Sequence, residues 1–198
     1  MHLRKGQLPI FIANILALII FSILFLSRKN YEFIIYIFVI IFFMALVLVS
    51  NKKLNYPNGV LCGLTLWALL HMSGGGIFIN GKKLYELMLI PIVGAPYNIF
   101  KFDQFVHIVG FFVATLVFFH IIHSSLINNY KKIPIAIVLV MAGLGAGALN
   151  EIVEFIATVI VPETGVGGYI NTSLDLISNL IGAILAAAYV LIKERRPK

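Results

Sequence analysis

Six long apolar runs dominate the chain and decide what it can fold into. They extend from Pro9 to Ser27, from about Phe33 to Ser50, from Val60 to about Gly75, from Asp103 to Ile122, from Ile133 toward Val161 and from Thr172 to Ile192. Inside hydrocarbon, backbone N–H and C=O groups are satisfied only within a helix or a closed barrel. The runs lack the polar–apolar alternation of barrel strands, so they predict transmembrane helices.

The composition supports the same class. Hydrophobic residues make up 61% of the chain and the mean hydropathy is +1.01, far outside the range of soluble domains. We therefore predict an all-α fold, a polytopic membrane helix bundle that forms a single transmembrane domain over residues 1–198. Between the third and fourth spans, the apolar run from Leu84 to Val93 is too short to cross a bilayer and contains Pro91. It predicts an interfacial or re-entrant segment.

The positive charge belongs to loops. The formal net charge is +7, but Lys and Arg stand in short pairs between the apolar runs, as loop anchors do. This pattern favours membrane lipids as partners and excludes nucleic acid. The single cysteine, Cys62, forms no internal disulfide.

The distribution of Lys and Arg predicts the orientation. Six spans place both termini on one side, which carries ten basic residues: Arg4, Lys5, Lys52, Lys53, Lys131, Lys132, Lys193, Arg195, Arg196 and Lys198. The other side carries five: Arg28, Lys29, Lys82, Lys83 and Lys101. Because basic loops stay inside, we predict a multi-pass protein of the plasma membrane with both termini in the cytoplasm.

Carboxylates within the fifth span point to function. One helical face passes from Gly143 and Gly147 to Asn150, Glu151 and Glu154. Two ionised carboxylates on one face in low dielectric need a cation, a partner or a shared proton. The six spans contain no Lys or Arg. The two negative charges can therefore be offset by a metal ion, by protonation, or by a histidine.

Orientation brings further polar residues to the same depth. The end of the third span, the start of the fourth, the outer half of the fifth and the start of the sixth all meet at the outer leaflet. The polar residues at that depth are His71, Asp103, His107, Glu151, Glu154, Asp175 and Asn179. Below them lie Gly63, Gly110, Gly143, Gly147 and Gly182, which let helix backbones approach closely. We therefore predict one polar pocket above a tightly packed waist. The first two spans are assigned to lipid-facing packing.

These motifs resemble a known family. Asp103-x-x-x-His107, Glu151-x-x-Glu154 and Asp175-x-x-x-Asn179-x-x-Gly182 are similar to the VanZ-like membrane proteins and the related YjdF-like proteins. The likeness covers the last half of the chain and, more weakly, His71 to Gly76. Gln104 and Glu154 stand where VanZ members more often have Lys and Gln, which is nearer the YjdF-like pattern. The VanZ resemblance implies an association with lipoglycopeptide resistance at the cell envelope and no particular reaction.

Our main hypothesis is a membrane-embedded site for a lipid or other amphiphile. The residues with metal-binding or acid–base, and hence catalytic, roles are His107, Glu151, Glu154 and Asp175. Those that contact the ligand are His71, Asp103, Asn150 and Asn179. Imidazole with carboxylates suits Zn, Mn or Fe better than calcium. Whether the protein is an enzyme stays open.

Two other functions stay open as well. The first is a proton- or ion-coupled transporter, although the polar groups stop at the outer half and no inverted repeat is visible. The second is a non-catalytic envelope factor with a structural polar core. In that case His107 would bond Asp103 one turn away, Asp175 would cap a helix, and Asn179 would form an interhelical hydrogen bond.

We predict that cysteines introduced at Lys82 and at Gly165 react with a membrane-impermeant maleimide added outside the cell. The reason is the excess of basic residues on the opposite side. Labelling of either position from the cytoplasmic side alone contradicts the orientation and the common depth of the polar residues.

Overall fold

The computed structural model describes residues 3–126, 130–161, 164 and 167–193. Six α-helices make up most of this described chain, and each is long and apolar enough to cross a membrane. They are Gln7–Ser27 (α1), Tyr31–Leu54 (α2), Asn58–Gly76 (α3), Phe102–His123 (α4), Lys132–Ile160 (α5) and Tyr169–Lys193 (α6). The prediction of an all-α membrane bundle is confirmed. Gly165, predicted to lie outside the cell, and the basic residues Arg195, Arg196 and Lys198 lie outside the described residues.

Local signals set the helix boundaries at the start of the chain. The Asn30 side chain accepts a hydrogen bond from the Phe33 N–H at 3.3 Å, which caps the first turn of α2. Asn55 ends α2 in the left-handed conformation, with φ 52. These short polar residues permit tight reversals between α1, α2 and α3.

Small residues allow α4, α5 and α6 to pack closely. A Cβ on Gly182 of α6 would clash with the Ile108 carbonyl oxygen of α4 and would lie 2.9 Å from the Phe112 nitrogen. On α5, a Cβ on Gly143 would lie 2.8 Å from the Ala183 Cβ of α6. The separation between α4 and α6 is therefore one that only glycine permits at position 182. The predicted narrow waist is confirmed at these glycines.

The connection between α3 and α4 forms two small antiparallel sheets. Phe78–Ile79 (β1) pairs with Lys82–Lys83 (β2), and Met88–Val93 (β3) pairs with Ile99–Lys101 (β4). Asn80 and Gly81 both have positive φ, 50 and 80, as a two-residue hairpin turn requires. The run from Leu84 to Val93, predicted to be an interfacial or re-entrant segment, thus consists of a 3₁₀ turn, Leu84–Glu86, followed by the strand β3. Pro91 is tolerated because β3 has only one paired edge.

We predict that Gly182→Ala destabilises the bundle by about 1–3 kcal/mol, because the added methyl group overpacks the α4–α6 contact. The measurement is the thermal unfolding of purified protein in detergent. Gly145→Ala is the matched control, since a Cβ there meets nothing within 4 Å. It should be neutral or gain about 0.5–1 kcal/mol from better helix propensity. Equal stability of the two variants contradicts the close approach.

Candidate functional site

His107 is the centre of a buried polar cluster between α4, α5 and α6. It lies in the second turn of α4 and is 6% exposed. Its Nδ1 lies 2.8 Å from Asn179 Oδ1 on α6. Because an amide oxygen only accepts, Nδ1 carries the proton and donates it. In the neutral imidazole, Nε2 therefore presents its lone pair to the other side of the ring.

Two carboxylates face that Nε2. Asp103 Oδ1 lies 3.7 Å from it and Asp175 Oδ1 lies 4.0 Å from it. The Asn171 side-chain amide orients both groups, because its Nδ2 donates to Asp175 Oδ2 at 2.5 Å and to Asp103 Oδ2 at 3.4 Å. Asp175 is 0% exposed, yet its Oδ1 has no hydrogen-bond partner among the described residues. This oxygen is buried and aimed at the imidazole.

The other side of the imidazole faces the carboxylates of α5. Glu151 Oε1 lies 3.8 Å from His107 Nδ1. Glu154 is partly exposed, and its Oε1 accepts from Asn150 Nδ2 at 2.7 Å. Neither carboxylate oxygen of buried Glu151 makes a close hydrogen bond among the described residues, although the side-chain amides of Asn150 and Asn179 lie nearby. His107 thus lies between two acidic groups.

Each acidic group shares His107 as a member. The first consists of Asp103, His107 and Asp175, and the second of His107, Glu151 and Glu154. Within each group, one ligand atom per residue lies within 4.8 Å of the others. Either group has the residue types and the spacing to hold a cation.

In a second polar cluster, at the opposite end of the bundle, the buried polar groups are hydrogen-bonded to one another. Gln7 Nε2 donates to the Tyr56 carbonyl at 3.1 Å, and Asn51 Nδ2 donates to Gln7 Oε1 at 2.9 Å. The Tyr56 N–H donates to Asn51 Oδ1 at 2.9 Å. These groups bond one another and connect α1 to α2 and to the α2–α3 connection. Since buried polar atoms are normally paired, the unpaired Oδ1 of Asp175 needs a different explanation.

An aromatic wall encloses His71 beside this cluster. Tyr85, from the 3₁₀ turn Leu84–Glu86, places its hydroxyl 2.6 Å from His71 Nδ1. Burial raises the pKa of Tyr85 well above its ordinary value, and the nearby carboxylates of Asp103 and Glu154 raise it further. The phenol therefore keeps its proton, and its hydroxyl shares a hydrogen bond with His71 Nδ1. Trp67 stacks on the same imidazole at 5.6 Å between ring centroids.

The predicted residues are brought together to different degrees. Those in direct contact around the imidazole are Asp103, His107, Glu151, Asp175 and Asn179, with Glu154 and Asn150 beside them. His71 lies in the aromatic wall and belongs to neither acidic group. The catalytic, metal and ligand roles of all these residues stay predictions.

The purely structural roles considered for His107, Asp175 and Asn179 have different outcomes. His107 hydrogen-bonds Asn179 rather than Asp103, whose oxygen at 3.7 Å is too distant. Asp175 is no helix cap, because α6 already begins at Tyr169. The expected interhelical hydrogen bond of Asn179 is confirmed.

Sequence reasoning missed several contributors. Asn171 was outside the predicted sixth span, although its i−4 spacing to Asp175 places both on one helical face. Tyr85 lies in a connection, where no periodicity points toward the cluster. The assignment of the second span to lipid-facing packing is wrong at Tyr36. That side chain is 6% exposed, its ring lies 5.4 Å from His71, and its hydroxyl is unpartnered among the described residues.

The helices and the cluster define a polytopic integral membrane protein with a buried imidazole–carboxylate cluster. The chain matches the family described as "Predicted membrane protein (DUF2238)" over residues 8–196 and belongs to that family. No curated protein and no solved structure shows significant similarity to it.

We predict that Asn179→Ala destabilises the protein by about 1–3 kcal/mol, because it leaves the buried His107 Nδ1–H without an acceptor. Ser178→Ala is the matched control at the neighbouring buried position. Among the described residues, the Ser178 hydroxyl donates to the Leu174 carbonyl of its own helix and joins no second helix, so its loss should cost much less. Thermal unfolding of both variants measures the difference. An equal effect contradicts the importance of the His107–Asn179 bond.

Proposed function

We propose that the His107 cluster is a divalent metal site that acts on a lipid or other amphiphile. The observation that carries this proposal is Asp175 Oδ1, a buried carboxylate oxygen that has no hydrogen-bond partner among the described residues and that faces His107 Nε2 beside Asp103. Burying carboxylates without a partner is costly. A bound cation supplies the missing partner.

The Nε2 side of His107 offers the better-prepared ligands. Ligand atoms around an ion at ~2.0–2.2 Å lie roughly 3.0–3.5 Å apart. The distances of 3.7 Å to Asp103 and 4.0 Å to Asp175 need only small movements to reach that range. Asn179 on the far nitrogen and Asn171 on both carboxylates hold these ligands in orientation, as outer partners do at metal sites. The donor set suits Zn, Mn or Fe.

Glu151 and Glu154 take the acid–base role on the Nδ1 side. A metal at such a site supplies Lewis-acid polarisation and an activated water. The Glu151 carboxylate is then placed to accept a proton, while Asn150 holds Glu154 in position. This division gives the two acidic groups different tasks around one histidine.

The surroundings of α5 support an amphiphilic substrate. Residues next to the two glutamates point outward and are apolar: Ile152, Phe155 and Ile156. Glu154 itself is partly exposed at the same level. A molecule that approaches this side meets hydrocarbon-facing side chains before it meets a carboxylate. A lipid or other amphiphile suits this arrangement, in which apolar side chains surround a carboxylate.

We also infer that the site faces the outer leaflet of the plasma membrane, with both termini in the cytoplasm. The ten-to-five distribution of Lys and Arg supports this orientation. The motifs from Asp103 to Gly182 support kinship with the VanZ-like and YjdF-like proteins and a role at the cell envelope.

A structural polar core is the second candidate, and the His107–Asn179 hydrogen bond favours it. A transporter is less well supported. Directly below the cluster, Gly143 packs against Thr115 and Ala183, and Gly182 packs against the α4 backbone. This close packing favours a site that opens at one end.

We predict that chelator-treated protein binds one Zn, Mn or Fe ion per chain. At a free ion concentration of 100 times Kd, binding should stabilise the fold by about 2.7 kcal/mol. Asp175→Asn and His107→Gln should raise Kd at least tenfold, about 1.4 kcal/mol. The control is Glu86→Gln, which removes one negative charge as Asp175→Asn does, but at an exposed position. It should bind the metal with the wild-type Kd. Metal analysis and thermal melts provide the measurements.

Glu151→Gln separates the metal site from the structural core. Without metal it should be neutral or stabilising, because it removes a buried charge that makes no close hydrogen bond among the described residues. With metal present it should keep most of the thermal stabilisation seen in the wild type, because Glu151 lies on the Nδ1 side of His107 and is not one of the proposed ligands. If added metal and chelator leave the melting of both proteins unchanged, the metal proposal is wrong and the cluster is structural.

A further inference from the structure

We propose that a groove at the opposite end of the bundle binds one anionic phospholipid, with the lipid phosphate at Lys193 and an acyl chain along α4. The groove is lined mainly by residues of α3, α4 and α6, among them Gly59, His120 and Lys193. It shares no residue with the His107 cluster. The proposal therefore stands independently of the metal site.

The groove has the size and the shape for a lipid chain. Its volume is about 320 Å³, within the roughly 300–1,000 Å³ of small-molecule sites. Along α4 it extends from His120 to Phe112, roughly 12 Å at ~1.5 Å per residue. Its inner walls are apolar and include Val60, Phe112, Leu116 and Phe119. A polar ligand finds no partner among these side chains, whereas an acyl chain does.

The outer end of the groove carries the polar groups. Lys193, the last residue of α6, places its Nζ 5.8 Å from the centre of the Tyr189 ring. Lys and Tyr at a helix end are the usual anchors at the level of lipid headgroups. His120 Nδ1 lies 2.7 Å from the Leu116 carbonyl, so it donates there and leaves Nε2 for a ligand. A groove with a cationic outer end and apolar inner walls suits a phospholipid with net negative charge.

The floor of the groove near α3 is open. A Cβ built on Gly59 meets nothing within 4 Å. Protein side chains therefore do not fill this space, and a larger residue fits there without disturbing the helix contacts. Gly59→Leu consequently blocks the groove without removing any interaction of the bundle.

Native mass spectrometry of the full chain tests the proposal. The protein is purified in detergent with equal amounts of phosphatidylglycerol and phosphatidylcholine, and retained lipids are counted by mass. The variants are Gly59→Leu, which fills the groove, and Lys193→Gln, which removes the cation. Their controls are Gly145→Leu, on α5 where a Cβ also meets nothing within 4 Å, and Lys53→Gln, at an exposed position of α2.

The expected result is one retained phosphatidylglycerol on the wild type and on both controls. Gly59→Leu should reduce its retention at least tenfold, and Lys193→Gln should abolish the preference for phosphatidylglycerol over phosphatidylcholine. Retention by Gly59→Leu at the wild-type level overturns the proposal. So does a dimer that Gly59→Leu converts to monomer, because a second copy is then the occupant. Unchanged melting of Gly59→Leu confirms that the variant folds.

Discussion

The hydrogen bond between His107 and Asn179 is the interaction on which the site depends. It joins α4 to α6 at 2.8 Å within the buried part of the bundle. It also fixes which ring nitrogen carries the proton, and so which side of the imidazole can act as a ligand. In a low-dielectric interior such a bond is costly to lose, because neither partner finds water as a substitute. The ring held in this way has Asp103 and Asp175 near its Nε2 and Glu151 near its Nδ1.

That bond requires a close approach of helices, and glycines provide it. Gly182 lets the α6 backbone contact the α4 backbone one turn below Asn179. Gly147 on α5 lies directly against the Asn179 side chain, so the amide is confined from two helices. Between lipid-exposed helices no hydrophobic effect favours association, and packing and interhelical hydrogen bonds replace it. The close packing at the small residues and the hydrogen bonds of the polar cluster therefore act together to hold α4, α5 and α6 in contact.

The sequence predicts most of this arrangement for identifiable reasons. Hydrophobic run length predicts all six helices, and helical spacing with antiparallel order brings His107, Glu151 and Asp175 to one level. The contributions of Tyr85 and Tyr36 escape such reasoning. Tyr85 reaches the site from a connection whose path is set by tertiary contacts, and Tyr36 lies in a span that is apolar throughout. Side-chain geometry is also beyond sequence, since spacing alone favours Asp103 over Asn179 as the partner of His107.

The enclosure of the cluster bears on how a ligand reaches it. On the side of the α3–α4 connection, Tyr85 closes over α3 through its hydrogen bond to His71 and its ring contact with Gly74. Toward α5 the barrier is weaker, because Glu154 is partly exposed between outward-pointing apolar side chains such as Phe155. The amphiphile that we propose as substrate would meet an apolar surface on the α5 side, with the Glu154 carboxylate within reach. The asymmetry of these two barriers favours lateral entry from the membrane.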